Sequence, residues 1–470
     1  MMKNQTMNAK MHRLIKEETT KSRKYMLHKL IKKHGFEKKE AEQIEESIYI
    51  STKSTLHERY TYKDKIIFDL GADFSDFDPD FINWLICAST IPFYQSLGDT
   101  IGYYDGKWEF NYGDIHVGPE FINEMLYEFI NLGGINDFSV KRLSASDDTV
   151  LYLATYAVLK EEFKDVNDFS EKLKKSYLDA LPLLENRHPG NTTLRALQRQ
   201  KTIEWNEMPY DSKAKGAGAA MRCGCIGIFF VGRMNRRKLI SMAIESSRIT
   251  HNSAIAILSC ITVALFTAYS LERVALNLWP HKLIKQLNSE YLEEYMKTSR
   301  PSEYEFYKRD KLFYMEQWIK YQNLFFTGTN PKTDLKFMKN PVLRYKYLAD
   351  NFSKDCGIPG SCGDDALIMA YDSFLRCDGN LEKLILYSIL HPGDSDTVGS
   401  IAFSWFGGYY HSPKNELLVE KKFKDLEFYD KIYDFLIESL LKMPKLYFHD
   451  IYLNVAKNIL RNILINRDDK

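Results

Sequence analysis

The sequence predicts an all-α protein, and three observations carry that prediction. From about Phe81 onward, stretches with apolar residues at helical spacing are joined by glycine-bearing loops, not by short alternating runs. Two of these stretches are preceded directly by acids and hydroxyls, the residue types that satisfy the unpaired N–H groups of a helix's first turn. A third, "SAIAILSCITVALFTAYSL" (253 to 271), carries no charge and reads as the buried central helix of a large core. Its length also suits a bilayer span, but Ser, Thr, Cys and Ala leave it only mildly apolar. At 470 residues and 44% hydrophobic content, the chain is long enough to bury such a core.

In chain order, the first forty residues have an excess of Lys and Arg over Glu and no apolar h-region, so a solvated, partly disordered arm is expected there and not a signal peptide. The β-branched and aromatic run "ESIYISTKSTLHERYTYKDKIIFDL" (46 to 70) suggests a short strand or two, and "GADFSDFDPDF" (71 to 81) a linker with turn signals. Residues 1–81 are therefore read as an extension and 82–470 as one helical domain. Helices are expected at "DTVLYLATYAVLKEEF", "DFSEKLKKSYLDALPLL", "RKLISMAIESSRI" and "DALIMAYDSFLRC". After "HPGDSDTVGS" (391 to 400), Val398, Ile401, Ala402, Trp405 and Phe406 recur at helical spacing among small residues that let another backbone come close.

The formal net charge of +1 excludes a chain that is basic throughout, and no nucleic-acid recognition motif stands behind the basic arm, so neither nucleic acid nor a membrane is expected as a partner. Seven scattered cysteines without a paired framework point to reduced thiols in a cytoplasmic compartment. Cys223 and Cys225, one residue apart and without a second pair, are read as core thiols.

The chemistry gathers at two helix mouths. Ser146, Asp147, Asp148 and Thr149 precede one apolar run; Asp394, Asp396 and Thr397 precede the other. One acid suffices for a cap, so each mouth has acid to spare. If the mouths face each other, each pair of charges ~5 Å apart at an effective dielectric of ~20 repels by about 3 kcal/mol, and a cation is the natural remedy. Carboxylates and hydroxyls without His or thiolate are hard ligands that favour Mg²⁺, then Mn²⁺ or Ca²⁺, over zinc. An EF-hand is excluded, because Val398 stands at its fifth position and Trp405 where a bidentate Glu belongs. "KGAGAAMRCGCIGIFF" offers Gly216-x-Gly218, but Met221 replaces the third glycine of a dinucleotide fingerprint and no strand precedes it. It is read either as a backbone nest for phosphates or as a tight turn into a buried helix.

Six stretches together resemble a known family: "GDTIGYYDGKWEF" (98 to 110), "SASDDTVLYLATYAVL" (144 to 159), "GAGAAMRCGCIGI" (216 to 228), "ESSRITHNSAIAILSCITVALFTAYSL" (245 to 271), "GSCGDDALIMAYDSFL" (360 to 375) and "HPGDSDTVGSIAFSWFGGYY" (391 to 410). In this order and spacing the chain resembles the ADP-ribosylglycohydrolases, and within them the ADP-ribosylarginine hydrolases, to which "GYYDGKWEF" is most similar. The resemblance implies an all-α orthogonal helical bundle with a binuclear Mg²⁺ site in an ADP-ribose cleft. It implies metal ligands at Ser146, Asp147, Asp148, Asp394, Asp396 and Thr397. The loop from Gly216 to Met221, with Gly218 and Ala219, would surround the diphosphate; His251 would lie near the ligand; Gly360, Ser361 and Gly363 would line the cleft. Glu109 would be the acid of a mobile segment over the entrance, gating the cleft or taking part in proton transfer, unless it is a surface acid beside a buried Trp108.

The implied reaction is hydrolysis of the N-glycosidic bond between ADP-ribose and a protein arginine, with Asp147 or Asp148 as general base. ADP-ribosylated protein is the expected substrate, ADP-ribose the product and a monomer the expected state. Departures from the family pattern occur at Pro392, at Asp364 in place of a His, and around "THNSA"; none falls on an implied metal ligand. Two alternatives remain: a hydrolase of serine-linked ADP-ribose or poly(ADP-ribose) with the same fold, and a non-catalytic ADP-ribose binder, against which the four retained aspartates speak.

Overall fold

The computed structural model describes residues 23–32, 36–58, 79–109, 121–410 and 422–440. These are mostly helical, and the sheet among them is one hairpin pairing Phe326–Thr327 with Asn330–Pro331. The chain divides into two compact units.

The first unit comprises residues up to Ile86, Gly232–Met234 and the chain from Leu436. Its helix α1 (Lys38–Glu58) runs through residues 46–58, the first half of the run in which a short strand or two is expected from the sequence. The reason lies just upstream: Ala41, Ile44 and Ile48 fall at i, i+3 and i+7 and are all buried, and this helical period overrides the β-branched residues that follow. Part of the basic arm is folded as well. Residues 23–32 are helical, Met26 and Leu30 are buried, and Arg23 forks onto Glu45 at 2.8 and 2.7 Å. Residues 1–22 of the arm and 59–78, which hold the rest of the strand segment and most of the linker, lie outside the described residues.

Helix α2 (Pro79–Tyr103) belongs from Cys87 to the second unit. There follow α3 (Asp147–Leu159), α4 (Val166–Ala180), α5 (Gly224–Phe229), α6 (Arg236–Arg248), α7 (Ala254–Leu271), α8 (Tyr304–Phe325), α9 (Gly363–Arg376) and α10 (Ser395–Tyr410), with shorter helices between them. All 18 residues of α7 are buried, capped at Ser253 and enclosed by α5, α6, α8, α9 and α10. The charge-free stretch is thus the core helix of this unit. Phe266 on α7 sits among Trp279, Trp318, Tyr371 and Trp405 with ring centroids 5.0 to 5.5 Å away, an aromatic cluster that ties four segments to one side chain.

Small residues bring α2 against α10. A Cβ at Gly102 would lie 2.5 Å from the carbonyl oxygen of Ser395, and one at Gly98 would lie 2.6 Å from that of Gly399. Nothing larger than hydrogen fits at either position, so backbone meets backbone at the start of the helix that carries Asp396. The Ser395 hydroxyl donates to the Gly102 carbonyl at 2.8 Å and fixes that approach.

Candidate active site

The two acid-bearing mouths do face each other. Asp148 at the start of α3 accepts hydrogen bonds from two hydroxyls of α10, Thr397 Oγ1 at 3.4 Å and Ser400 Oγ at 2.9 Å. Within its own turn, Ser146 Oγ caps α3 by accepting from the Asp148 N–H at 3.1 Å, and the Ser146 hydroxyl also interacts with Asp396. On the other side, Asp396 accepts from the Thr397 N–H at 2.8 Å and Asp394 from the same N–H at 3.3 Å. Glu109, Asp394 and Asp396 each offer a carboxylate oxygen within 4.8 Å of the other two. Asp147 stands outside that closest trio but within its electrostatic reach, with Asp396 and Asp99 as its main acidic neighbours.

Glu109 is 4% exposed, which removes the reading of a surface acid. Its position follows from Trp108, whose buried ring lies against Tyr104, Phe129 and Phe138 and whose indole N–H donates to Glu128 at 2.8 Å. The turn before it is unusual. Tyr104 and Asp105 both take positive φ, 44° and 52°, ahead of Gly106 at 76°, a strain of about 1–3 kcal/mol for each non-glycine residue. Asp105 offsets part of this by accepting from the Ser144 N–H at 2.9 Å, which links the turn to the approach to α3.

Asp99 is a site residue that the sequence reading missed. It is buried and caps α3 from α2, accepting from the N–H groups of Ser146 at 3.1 Å and Thr149 at 3.0 Å and from the Thr149 hydroxyl. The signal was there: Asp99 is the only charged residue between Phe81 and Tyr103 in α2. Ser400 was missed too, although it stands one helical turn after Asp396.

Burial and mutual repulsion set the protonation of this cluster. Asp147, Asp148 and Asp394 are held well above the usual carboxylate range, first by burial and next by the charge of Asp396. The same two causes push Asp99 up to about 7, and burial raises Asp396. Among the described residues no Lys or Arg forms an ion pair with any of the five. A buried group of oxygen donors without a counter-ion fits a hard divalent cation.

Three loops meet beside the acids. The Ala217 N–H donates to the Ser361 carbonyl at 2.9 Å, the Gly363 N–H to Lys215 at 2.8 Å, and the Asp394 N–H to Pro359 at 2.9 Å. The segments 215–217, 359–363 and the Asp394 turn are therefore stitched together, although they come from distant parts of the chain. Within 216–221, residues Ala217–Ala219 form a 3-10 turn, and the N–H groups of Ala220 and Met221 are spent on the Ala217 carbonyl. His251 packs on this loop, its ring 3.2 Å from where a Cβ at Gly218 would be. Burial, and then Arg222, hold its pKa down to about 3, so the ring is neutral. Arg222 itself braces the loop from beneath: it donates to the Gly218 carbonyl at 2.8 Å, the Ser246 carbonyl at 2.9 Å and the Thr250 hydroxyl at 2.7 Å, and lies over the Tyr177 ring. His391 braces the acid turn, taking the Gly393 N–H on Nδ1 at 3.3 Å and stacking on Tyr345.

Residues 95–416 match the ADP-ribosylglycohydrolase family. The chain belongs to that family. A protein of Acanthamoeba polyphaga mimivirus, described as a candidate ADP-ribosyl glycohydrolase, is 45% identical over 470 residues, covering 97% of this chain and 91% of its own. ADP-ribosylhydrolase ARH1 of Dictyostelium discoideum is 30% identical over 340 residues, 67% of this chain and 84% of its own. A solved ADP-ribosylglycohydrolase-related protein complex superposes with a TM-score of 0.44 at 16% identity, over 76% of this chain and 99% of that one. This ADP-ribosylglycohydrolase is accordingly a hydrolase of the family's class with an all-α fold.

Ser400 gives a direct handle on the facing mouths. Ser400→Ala removes the 2.9 Å donor that orients Asp148. If the facing mouths hold a divalent cation, loss of such an outer partner typically weakens its binding about 10–100-fold, and that range is expected for the cation concentration giving half-maximal thermal stabilisation.

Proposed function

We propose that this glycohydrolase removes ADP-ribose from ADP-ribosylated arginine on proteins, using two Mg²⁺ ions held by Ser146, Asp147, Asp148, Asp394, Asp396 and Thr397. The observation that carries the proposal is the facing pair of helix mouths, where Asp148 is bound by Thr397 and Ser400 while Asp394 and Asp396 crowd against Glu109. When bound, the ions supply Lewis acidity that orients oxygen ligands and acidifies water.

The remaining work falls to side chains. Hydrolysis adds a water oxygen to the anomeric carbon of the ribose and breaks its bond to the guanidinium nitrogen, which leaves with a proton. Asp148 has donors on both carboxylate oxygens, whereas no side chain among the described residues donates to Asp147. Asp147 is also the more exposed, 6% against 1%, so we assign it the role of base that takes the proton from water. The N–H groups of Gly218 and Ala219 approach the diphosphate, the neutral His251 supports that loop, and Gly360, Ser361 and Gly363 close the cleft beside Asp394. Glu109 faces the leaving guanidinium, a planar cation that a carboxylate engages through paired charge-assisted hydrogen bonds. Arginine specificity is favoured by the placement of Glu109 in "GYYDGKWEF" and by the relationship to ADP-ribosylhydrolase ARH1.

Residues 1–81 remain, in this reading, an extension outside the chemistry. Every proposed site residue lies between Asp99 and Ser400, within the segment that matches the family. A monomer in the cytoplasm is the working assignment. The test is ADP-ribose release from arginine-modified and serine-modified proteins in parallel. Release from the arginine substrate is expected, with at least about a hundredfold preference, since a site that leaves its charged partner unpaired loses several kcal/mol. Faster release from the serine substrate would overturn the assignment.

A further inference from the structure

A second group of metal donors lies outside the acid mouths. Cys356, Cys362, Asp364 and Asp365 each place one ligand atom within 4.8 Å of the other three. They belong to the turn leading into α9, where Gly357 and Gly360 take φ of 77° and 88° and fold the chain back on itself. Asp365 fixes this turn by accepting from the N–H groups of Gly360 at 2.8 Å and Cys362 at 3.0 Å, with the Ser353 hydroxyl and the Ala366 N–H also directed at it. Asp364 is 1% exposed; its own backbone N–H bonds its carboxylate, its side-chain donor is the Cys356 thiol at 4.0 Å, and among the described residues no lysine, arginine or hydroxyl donates to it. A weak donor at that distance is a poor partner for a buried carboxylate, and the group is aimed at the two thiols.

We propose that Cys356, Cys362, Asp364 and Asp365 bind one Zn²⁺ ion as a closed, four-ligand structural site. Two thiolates and two carboxylates complete a tetrahedral shell, with Zn–S of about 2.3 Å and Zn–O of about 2.0–2.2 Å; a contraction on the order of 1 Å brings the donors to those distances. Thiolate donors distinguish this site from the all-oxygen mouths, because soft sulfur selects zinc and hard oxygen selects magnesium. Binding releases one proton from each thiol to solvent, and no electrons are exchanged. The clamp is positioned to matter for the cleft. The same turn carries the Ser361 carbonyl that holds Ala217, the Gly363 N–H that holds Lys215, and the Pro359 carbonyl that holds Asp394. Zinc would thus rigidify the segment joining the phosphate-side loop to the acid turn.

The test uses the full chain, reduced and freed of metal, titrated with Co²⁺ as a spectroscopic substitute and then with Zn²⁺. One equivalent of Co²⁺ is expected to give a near-ultraviolet thiolate-to-cobalt charge-transfer band, which Zn²⁺ abolishes by displacement. Cys356→Ser and Asp364→Asn should each lose or strongly weaken the band, while Cys223→Ser and Asp396→Asn keep it. Cys356 is only partly buried, so its serine variant is expected to fold. A readout on the unmodified protein needs no variant: stoichiometric Zn²⁺ should protect Cys356 and Cys362 from alkylation. No band, a band that survives Cys356→Ser, or unprotected thiols at saturating Zn²⁺ would each overturn the site.

Discussion

Asp396→Asn is expected to lower ADP-ribose release by more than about a hundredfold, because even outer partners of a metal site cost 10–100-fold and Asp396 is proposed as a direct ligand. The same substitution should leave the metal-free protein at least as heat-stable as the wild type. Asp396 is the leading charged neighbour of Asp99, Asp147, Asp148 and Asp394, and after burial its charge is what raises them most. An amide of the same shape relieves that repulsion and retains an oxygen to accept the Thr397 N–H. Activity and stability therefore move in opposite directions, which separates a ligand from a residue needed only for folding. A variant that loses activity together with its melting temperature would point to folding instead.

Glu109→Gln carries the second large effect. If Glu109 engages the leaving guanidinium, the variant should lose turnover of ADP-ribosylarginine by about 100-fold or more, the loss typical of removing one charge-stabilising contact from a transition state. Binding of free ADP-ribose, which has no guanidinium, should weaken far less. Trp108 keeps the segment in place through its packing and its bond to Glu128, so the substitution leaves the backbone where it is. Calorimetric titration of ADP-ribose beside turnover of ADP-ribosylarginine makes the comparison. Equal losses in both would show that Glu109 supports the site as a whole and does not read the substrate.

The parts of this site legible in the sequence are those written as local excess. Two helix mouths with more acid than a cap requires can be seen without a structure, and so can the charge-free helix of the core. Asp99 and Ser400 were harder, because each looks like an ordinary residue inside a helix until α2 and α10 are placed against α3. Arg222 gave no signal in the sequence, and only the fold shows it buried under Gly218 with Tyr177 beneath its guanidinium. Residues 46–58 are helical where the sequence suggests strand, and the reason is physical. β-branched residues favour strands on a pleated, half-buried surface, yet tertiary burial of Ala41, Ile44 and Ile48 on one face decided the outcome. Glu109 stands between these cases, since the motif identified the residue while its burial against Asp394 and Asp396 is tertiary.

Hydrolysis is proposed to depend on divalent cations held between the facing mouths. The measurement that reaches this dependence most directly is Mg²⁺ titration of the metal-free chain, with bound ions, melting temperature and ADP-ribose release followed in the same samples. Carboxyls whose folded pKa is raised stabilise the protein below their unfolded value, about 3.9, and that contribution is lost as pH rises through the folded one, which for Asp99 is about 7. The metal-free cluster therefore becomes costlier toward neutral pH, while a cation no longer has protons to displace. Two ions per chain are predicted, with release rising as they bind and with a Mg²⁺-induced gain in melting temperature that grows from about pH 5 to about pH 8. Full release of ADP-ribose in chelator, with no ion bound, would contradict the claim.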